Sequence, residues 1–305
     1  MLLVLSWIIT PIFFGSSFLF AGILSKYSMP LEYMMFYRLM IAGIACSIIV
    51  IITKNRLLIR KSEILLSIII AGSQLNIWLQ CYGTKYLISG LVCCICLTQI
   101  FVAEFIQAIW EKRRMKKNVV ISGLIGTAGI IMLCNQDLFG MEIANLKRTI
   151  SGIVISIIST FFAALCNLIY EKSNDEYKKM PKTTFVMYNC LFGALMLLVV
   201  GLIKNPVKDI INPALLDIKY ASVLIYLSLT ATLTGLFGLY YIISKQGAVK
   251  ATYLNFIMPI ISMVLSTFIE GFSWNTMAVV GMLTLLFSVW VGVRKRYDFL
   301  ITITC

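Results

Sequence analysis

Residues 86–117 read YLISGLVCCICLTQIFVAEFIQAIW followed by EKRRMKK, so an apolar run from Tyr86 to Trp110 ends abruptly in a basic cluster. A helix needs about 20 apolar residues to cross roughly 30 Å of hydrocarbon, and this run is long enough. Basic residues directly after such a run are typical of a cytoplasmic loop. The stretch therefore predicts a transmembrane helix whose C-terminal end faces the cytoplasm.

The same pattern extends along the whole chain of 305 residues, which is 60% hydrophobic and 13% charged, with a mean hydropathy of +0.94. An ordinary soluble domain is about 45–50% apolar and 25% charged, so this composition excludes a soluble globular protein. Apolar runs bounded by charge, proline or glycine predict ten transmembrane helices: Leu2–Leu24, Leu31–Ile52, Ile64–Tyr82, Tyr86–Trp110, Asn118–Cys134, Ile150–Tyr170, Thr183–Ile203, Tyr220–Ile243, Ala248–Ile269 and Trp274–Val293.

The basic residues are divided unequally between alternate loops. One set of loops holds eighteen Lys and Arg and the other holds seven, while Arg38 alone lies within a span. The net charge of +13 therefore comes from loops, and it does not indicate nucleic acid binding. Because cytoplasmic loops carry the excess of Lys and Arg, we expect both termini to be cytoplasmic and the protein to lie in a bacterial inner membrane.

An internal repeat supports this topology. Tyr82–Val120 aligns with Tyr241–Val279, with small insertions, so that Glu111 matches Glu270, but a basic cluster follows only Glu111. A repeat of five helices places its second copy upside down in the membrane. The alternative is that two hairpins rich in Leu and Ile align through composition alone. The predicted organisation is a first five-helix repeat at residues 1–135, a connecting loop at 136–149, a second, inverted repeat at 150–296 and a cytoplasmic tail at 297–305.

Three stretches resemble a known family. They are Phe14-Gly15-Ser16-Ser17-Phe18 in the first helix, Tyr37-Arg38-Leu39 in the second, and the stretch from Leu236 to Gly281 with its proline and closing glutamate. Together they are similar to the drug/metabolite transporter superfamily, specifically its EamA-type ten-helix members. The resemblance implies that helices 1, 3, 4, 6, 8 and 9 surround a central cavity that works by alternating access. The first half departs from the pattern, because Thr98-Gln99-Ile100 stands where the family often has a proline.

Polar residues on those helices are the candidate binding residues. Ser73, Asn76 and Gln80 are spaced so that all three lie on one face of the third helix, which should point away from lipid. The alternative is that such groups only tie helices together by hydrogen bonds. The candidate substrate-binding residues are Ser16, Asn76, Gln80, Gln99, Thr160, Asn167, Tyr253 and Asn255, and the candidate aromatic walls are Trp78, Phe161, Phe162 and Tyr240.

Two charged residues lie well inside predicted spans. Glu104 is the candidate for proton coupling, because burial in a membrane disfavours the charged form of a carboxyl group; exchange and facilitated diffusion are the alternatives. We expect Arg38 to be structural, with its side chain snorkelling towards the outer interface. At 1.5 Å per residue the two charges differ in depth by roughly 10 Å, so they are not expected to pair directly.

Catalytic chemistry is not expected. The chain has no histidine and every Asp falls in a predicted loop or tail, which excludes a His-liganded metal site, a Ser-His dyad and an intramembrane Asp pair. Cys93 and Cys96 lie in an apolar helix and are interpreted as small apolar residues, so no cofactor is predicted. The predicted function is secondary transport of a small polar metabolite, such as an amino acid, a nucleoside-like compound or S-adenosylmethionine, by a monomer or homodimer. A non-transporting lipid-handling or assembly factor is the alternative.

Overall fold

The computed structural model describes residues 2–57, 61–115, 117–133, 143–173 and 180–293. The predicted cytoplasmic tail and the first part of the predicted connecting loop lie outside these ranges. So do seven of the basic residues counted above, namely Arg60, Lys116, Lys178, Lys179, Arg294, Lys295 and Arg296.

Within these ranges the chain forms ten long helices joined by turns, short helical turns and loops. In chain order they are α1 Leu2–Leu24, α2 Leu31–Ile52, α3 Lys61–Gly83, α4 Ser89–Trp110, α5 Lys117–Leu133, α6 Ile143–Glu171, α7 Lys182–Lys204, α8 Ile218–Gln246, α9 Ala248–Ile269 and α10 Thr276–Val293. Of these, eight are long and apolar enough to cross a membrane, whereas α5 and α10 are shorter apolar helices. The chain is thus an all-helical, multi-pass membrane protein.

The helix bounds agree with the apolar runs to within about three residues, except at α6. This helix begins at Ile143, before the predicted start at Ile150, and so includes part of the predicted connecting loop. Its first turns carry Lys147 and Arg148, and an Nη of Arg148 donates to the backbone carbonyl of Lys85 at 2.7 Å. An apolar run marks only the length that lies in hydrocarbon, so a helix that continues into water is underestimated.

Four of the helices are irregular near their middle. α3 is interrupted at Gly72, and α8 has a π-helical stretch at Leu227–Thr234. α4 and α9 each contain a short 3₁₀ turn, at Cys96–Thr98 and Thr252–Phe256 respectively. Such interruptions within a helix often mark a hinge or a functional site.

α5 and α10 pack mainly on each other, and α5 also contacts α4. Glycines make this close packing possible, because a Cβ on Gly129 would come within 2.9 Å of the carbonyl oxygen of Gly281. Small residues at such contacts let two membrane helices approach closely. The remaining helices form a bundle in which α2 packs on α7, α3 on α6, α4 on α9, and α1 on both α8 and α9.

Candidate functional site

A cavity of about 80 Å³ lies at the centre of the bundle, among α1, α2, α3, α4, α6, α8 and α9. Neither α5 nor α10 contributes to its described lining. The apolar part of the lining includes Phe14, Phe18, Leu236 and Met258. The polar side chains that line it are Ser17, Arg38, Ser73, Asn76, Gln80, Gln99, Asn167, Tyr240, Thr252 and Asn255.

The structure brings together Asn76, Gln80, Gln99, Asn167 and Asn255 among the predicted binding residues. The other three lie outside the described lining. Ser16 forms a 2.9 Å hydrogen bond with the hydroxyl of Tyr226, and Thr160 donates to the carbonyl of Ile157 at 2.7 Å. The half-buried Tyr253 packs on the apolar core between α4, α9 and α10.

The aromatic residues divide in the same way. Tyr240 lines the cavity, and its hydroxyl lies 3.3 Å from the Ser73 hydroxyl. Phe161 and Phe162 are instead exposed on the outer surface of α6, with 44% and 39% of their area accessible. Their predicted role as cavity walls is wrong, because they occupy the lipid-facing side of a helix whose opposite side carries Asn167.

An amide network joins α4 to α9 at their irregular turns. The Nδ2 of Asn255 donates to the side-chain oxygen of Gln99 at 2.8 Å and to the backbone carbonyl of Cys96 at 3.2 Å. Asn255 lies in the 3₁₀ turn of α9 and Cys96 in that of α4. The two interrupted helices therefore contact each other at the cavity through their least regular segments.

The other amides of the lining differ in how far they are engaged. The Nε2 of Gln80 donates to Asn76 Oδ1 at 2.9 Å and approaches the sulfur of Cys96 at 3.4 Å. Asn167 is 5% exposed and forms no hydrogen bond with any described residue. The lining thus contains both amides that hold helices together and an amide that is available to a bound molecule.

Arg38 lies in the cavity lining, which the sequence did not predict. Only 1% of its surface is exposed, and its Nε donates to the hydroxyl of Thr232 at 2.8 Å. Thr232 belongs to the π-helical stretch of α8. The expectation that the side chain snorkels to the outer interface is wrong, because α2 turns this residue towards α8 and away from lipid.

Glu104 lies outside the described cavity lining, at a cluster that joins the C-terminal ends of α4 and α6. Its Oε1 accepts from Arg113 Nη1 at 2.7 Å, and Arg113 Nε donates to Glu111 Oε2 at 2.9 Å. The ammonium of Lys172, just beyond α6, donates to the other oxygen of Glu111 at 2.9 Å. We refer to Glu104, Gln107, Glu111, Arg113 and Lys172 as the Arg113 cluster.

The charges of this cluster stabilise one another. Hydrogen bonds from Arg113 and then Lys172 lower the pKa of Glu111 to about 2, although Glu111 itself is largely solvent-accessible. The bonds to Glu104 and Glu111 in turn raise the pKa of Arg113. Glu104, the coupling candidate, thus has a cationic partner that lies nine residues further along the chain.

A second cluster joins the N-terminal end of α4 to the C-terminal end of α9. The Oε2 of Glu270 accepts from Ser89 Oγ at 2.5 Å and from the backbone N–H of Ser89 at 3.2 Å. The Oγ of Ser266 accepts from the N–H of Gly90 at 3.1 Å. We refer to Ser89, Gly90, Ser266 and Glu270 as the Ser89 cluster. Its carboxylate faces the N-terminus of α4, where the helix dipole favours negative charge.

A carboxylate also accepts a hydrogen bond from a backbone N–H at the start of α9. The Oε2 of Glu171 accepts from the N–H of Ala248 at 3.0 Å. Gly247 precedes it with φ of +91°, and a Cβ there would lie 2.8 Å from Glu171 Oε1. A residue with a side chain would therefore strain both the turn and this carboxylate contact.

The fold and its central cavity, which polar side chains line in part, are those expected of a multi-pass membrane transporter, and comparisons with known proteins agree. An uncharacterized transporter of Archaeoglobus fulgidus is 22% identical over 215 residues, covering 70% of this chain and 71% of its own. An uncharacterized transporter in the trpA 3′ region of Buchnera aphidicola subsp. Schlechtendalia chinensis is 25% identical over 275 residues, covering 88% and 86%.

The profile of the EamA-like transporter family matches residues 1–135 and 150–294, so the chain belongs to this family. The resemblance seen in the sequence is thereby confirmed. One solved crystal structure superposes with a TM-score of 0.66 over 95% of this chain and 98% of its own. It is 13% identical, and this likeness concerns the fold alone.

Proposed function

We propose that the protein is a secondary transporter that moves a small polar metabolite across the membrane by alternating access. The observation that carries this proposal is the polar cavity at the point where the 3₁₀ turns of α4 and α9 meet. Interrupted helices around a site near mid-membrane are a recurrent feature of secondary transporters. A purely structural membrane protein has no need of a buried amide such as Asn167 that contacts no described partner.

The two clusters supply the closures that alternating access requires. α4 and α9 run antiparallel, so the Ser89 cluster lies at one end of the pair and the Arg113 cluster at the other, with the cavity between them. We propose that each cluster opens while the other stays closed. With the topology expected from the basic loops, the Ser89 cluster faces the periplasm and the Arg113 cluster faces the cytoplasm.

The proposed movement uses the irregular turns as hinges between helix halves. A 3₁₀ turn has poorer hydrogen-bond geometry than an α-helix, so it bends at lower cost. We propose that the two five-helix halves are inverted repeats and that α4 and α9 are equivalent helices, each with its turn at the cavity. Opening at one end then corresponds to closing at the other by the same internal motion.

The lining favours a solute with several hydrogen-bonding groups. Asn76, Gln80 and Asn167 present amide donors and acceptors from two helices, and Phe14 and Tyr240 add flat apolar surface. Amino acids, nucleoside-like compounds and S-adenosylmethionine all fit this chemistry. Proton coupling through Glu104 stays a prediction, and the ion pair with Arg113 also suits this carboxylate for a closure role.

Uptake into proteoliposomes tests the proposal. Purified protein should give saturable uptake of at least one radiolabelled amino acid, nucleoside or S-adenosylmethionine. Asn76→Ala and Asn167→Ala should lower uptake about tenfold at unchanged protein abundance, because each removes hydrogen bonds to the solute. Asn205→Ala is the matched control, since this amide lies at the end of α7 and bonds to Glu32, away from the cavity.

Two outcomes would contradict the proposal. Absence of saturable uptake across the panel would favour a lipid-handling or assembly role. Parallel losses of folded protein and uptake in both cavity variants would show that the amides only hold helices together.

A further inference from the structure

The described lining of the cavity contains one charged side chain, the guanidinium of Arg38. The group is 99% buried, and Nε is its one atom that bonds to a described residue, the hydroxyl of Thr232. Its two terminal Nη groups, which carry most of the donors, form no hydrogen bond with a described residue. A smaller cavity of about 10 Å³ also borders Arg38 and Gln80 and continues to Thr84, so the side chain lies between two open spaces.

No described carboxylate neutralises this charge. Glu32 pairs with Lys204, Glu63 with Arg56, and Glu104 with Arg113. Glu171 and Glu270 lie outside the described lining and accept from backbone N–H groups at the starts of α9 and α4. An arginine stays protonated even when buried, and an unpaired charge within a membrane is strongly unfavourable. A bound molecule that carries a negative charge would neutralise it.

The bond to Thr232 orients the guanidinium. Because Nε is held by α8, the two Nη groups form a free fork, and a planar oxyanion accepts two parallel hydrogen bonds from such a fork. Lysine cannot reproduce this geometry, because its ammonium is a point charge. The cavity thus presents a pre-oriented donor pair, and the amides of Asn76 and Asn167 belong to the same lining.

We infer that Arg38 binds an anionic group of the transported solute, a carboxylate or a phosphate, through its two Nη groups. This inference rests on the proposed transport function and narrows the substrate to solutes that carry such a group. The amides of α3 and α6 then bind the remainder of the solute. Thr232 is the positioning residue, and the π-helical stretch of α8 is what places its hydroxyl against Nε.

Matched anionic and uncharged solutes test the inference on the unmodified protein. Proteoliposomes are given radiolabelled methionine, S-adenosylmethionine, adenosine monophosphate or adenosine. Uptake of a carboxylate solute should be inhibited at least tenfold better by the unlabelled acid than by its carboxamide. Uptake of a phosphate solute should be inhibited by adenosine monophosphate and not by adenosine. These two arms distinguish the carboxylate from the phosphate.

Variants locate the effect. Arg38→Gln should reduce uptake of the anionic solute at least tenfold and abolish the preference for acid over amide, and Arg38→Lys should retain part of the uptake with weaker discrimination. Arg56→Gln, which removes a partly exposed arginine paired with Glu63, should change neither. The acid and amide comparison does not depend on a variant, so it decides the question if the Arg38 variants do not fold.

Binding in detergent separates failure of this inference from failure of the proposed function. The same compounds are added to the purified protein and its unfolding temperature is measured. The anions could raise the unfolding temperature of the unmodified protein but not that of Arg38→Gln, while no compound is taken up. This result would support the anion site and refute transport. Uptake of adenosine alone, or equal inhibition by acid and amide, would refute the anion site and leave transport standing. Neither uptake nor a shift with any compound would refute both.

Discussion

Glu270→Gln should open the Ser89 end of the protein more often. The substitution keeps the length of the side chain but removes the negative charge that accepts two hydrogen bonds from Ser89. A hydrogen bond to a charged group contributes about 1.5–3 kcal/mol, and a neutral one about 1 kcal/mol. Because Glu270 is partly exposed, solvent screening reduces the difference, and we expect a loss of about 1–2 kcal/mol for the closed end. This corresponds to a 5–30-fold rise in the open population.

Alkylation of a native cysteine measures this change. Cys96 borders the cavity, while Cys93 and Cys94 on the same helix are buried outside its described lining. A membrane-impermeant maleimide added from the periplasmic side of intact cells should modify Cys96 about 5–30-fold faster in Glu270→Gln than in the unmodified protein. Mass spectrometry of the digested protein identifies the labelled cysteine.

Controls make the result specific to the closure. Glu32→Gln changes a carboxylate that pairs with Lys204 near the same end of the molecule, and it should leave the rate for Cys96 unchanged. An unchanged rate in Glu270→Gln would refute the role of the Ser89 cluster as a closure. So would acceleration seen only when the reagent is added from the cytoplasmic side.

Gly247→Ala should lower the free energy of unfolding by about 1–3 kcal/mol, because φ of +91° strains any residue with a Cβ. Thermal unfolding should show a larger loss of stability than in Gly271→Ala, since Gly271 has φ of +74° but open space around it. Equal losses would show that the contact between residue 247 and Glu171 does not contribute. If uptake responds to an imposed pH gradient, Glu104→Gln should remove that response while preserving solute binding, and an undiminished response would refute coupling through this carboxylate. The pKa of Glu111 is lowered to about 2, so its ion pairs stabilise the closed end above its ordinary pKa and are lost only as the pH falls through about 2. Labelling of the cavity from the cytoplasmic side should therefore not increase through Glu111 between pH 8 and 5, and a rise that Glu111→Gln abolishes would contradict this.

The helices could be predicted because hydrocarbon leaves the backbone few choices. Every N–H and C=O in a membrane must be bonded within the chain, so each apolar run of sufficient length becomes a helix. That Asn76 and Gln80 lie on a face of α3 turned away from lipid could also be predicted, because amide side chains avoid hydrocarbon. Helix ends in water, such as the start of α6 at Ile143, carry no comparable constraint and were predicted less well.

The partners of the charged residues could not be predicted from the sequence. Depth along a helix follows from residue number, but the side on which a neighbouring helix stands does not. Arg38 finds Thr232, 194 positions away, and Glu270 finds Ser89, 181 positions away. The one available signal is that a charge inside a span is itself costly, so a buried position that supplies a polar partner is to be expected for it.

The 3₁₀ turn in α4 has no proline of its own, but it contacts a turn in α9 that is followed by one. Pro259 of α9 has no N–H, so the carbonyl of residue 255, four positions earlier, lacks its helical donor and the backbone there loosens into a 3₁₀ turn. That turn carries Asn255, whose amide donates to the carbonyl of Cys96 in α4. A carbonyl supplied with a side-chain donor no longer depends on its α-helical partner, and α4 forms its 3₁₀ turn at this position without a proline of its own. Pro259 thus accounts for the break in α9, and Asn255 at that break bonds to the irregular turn of α4.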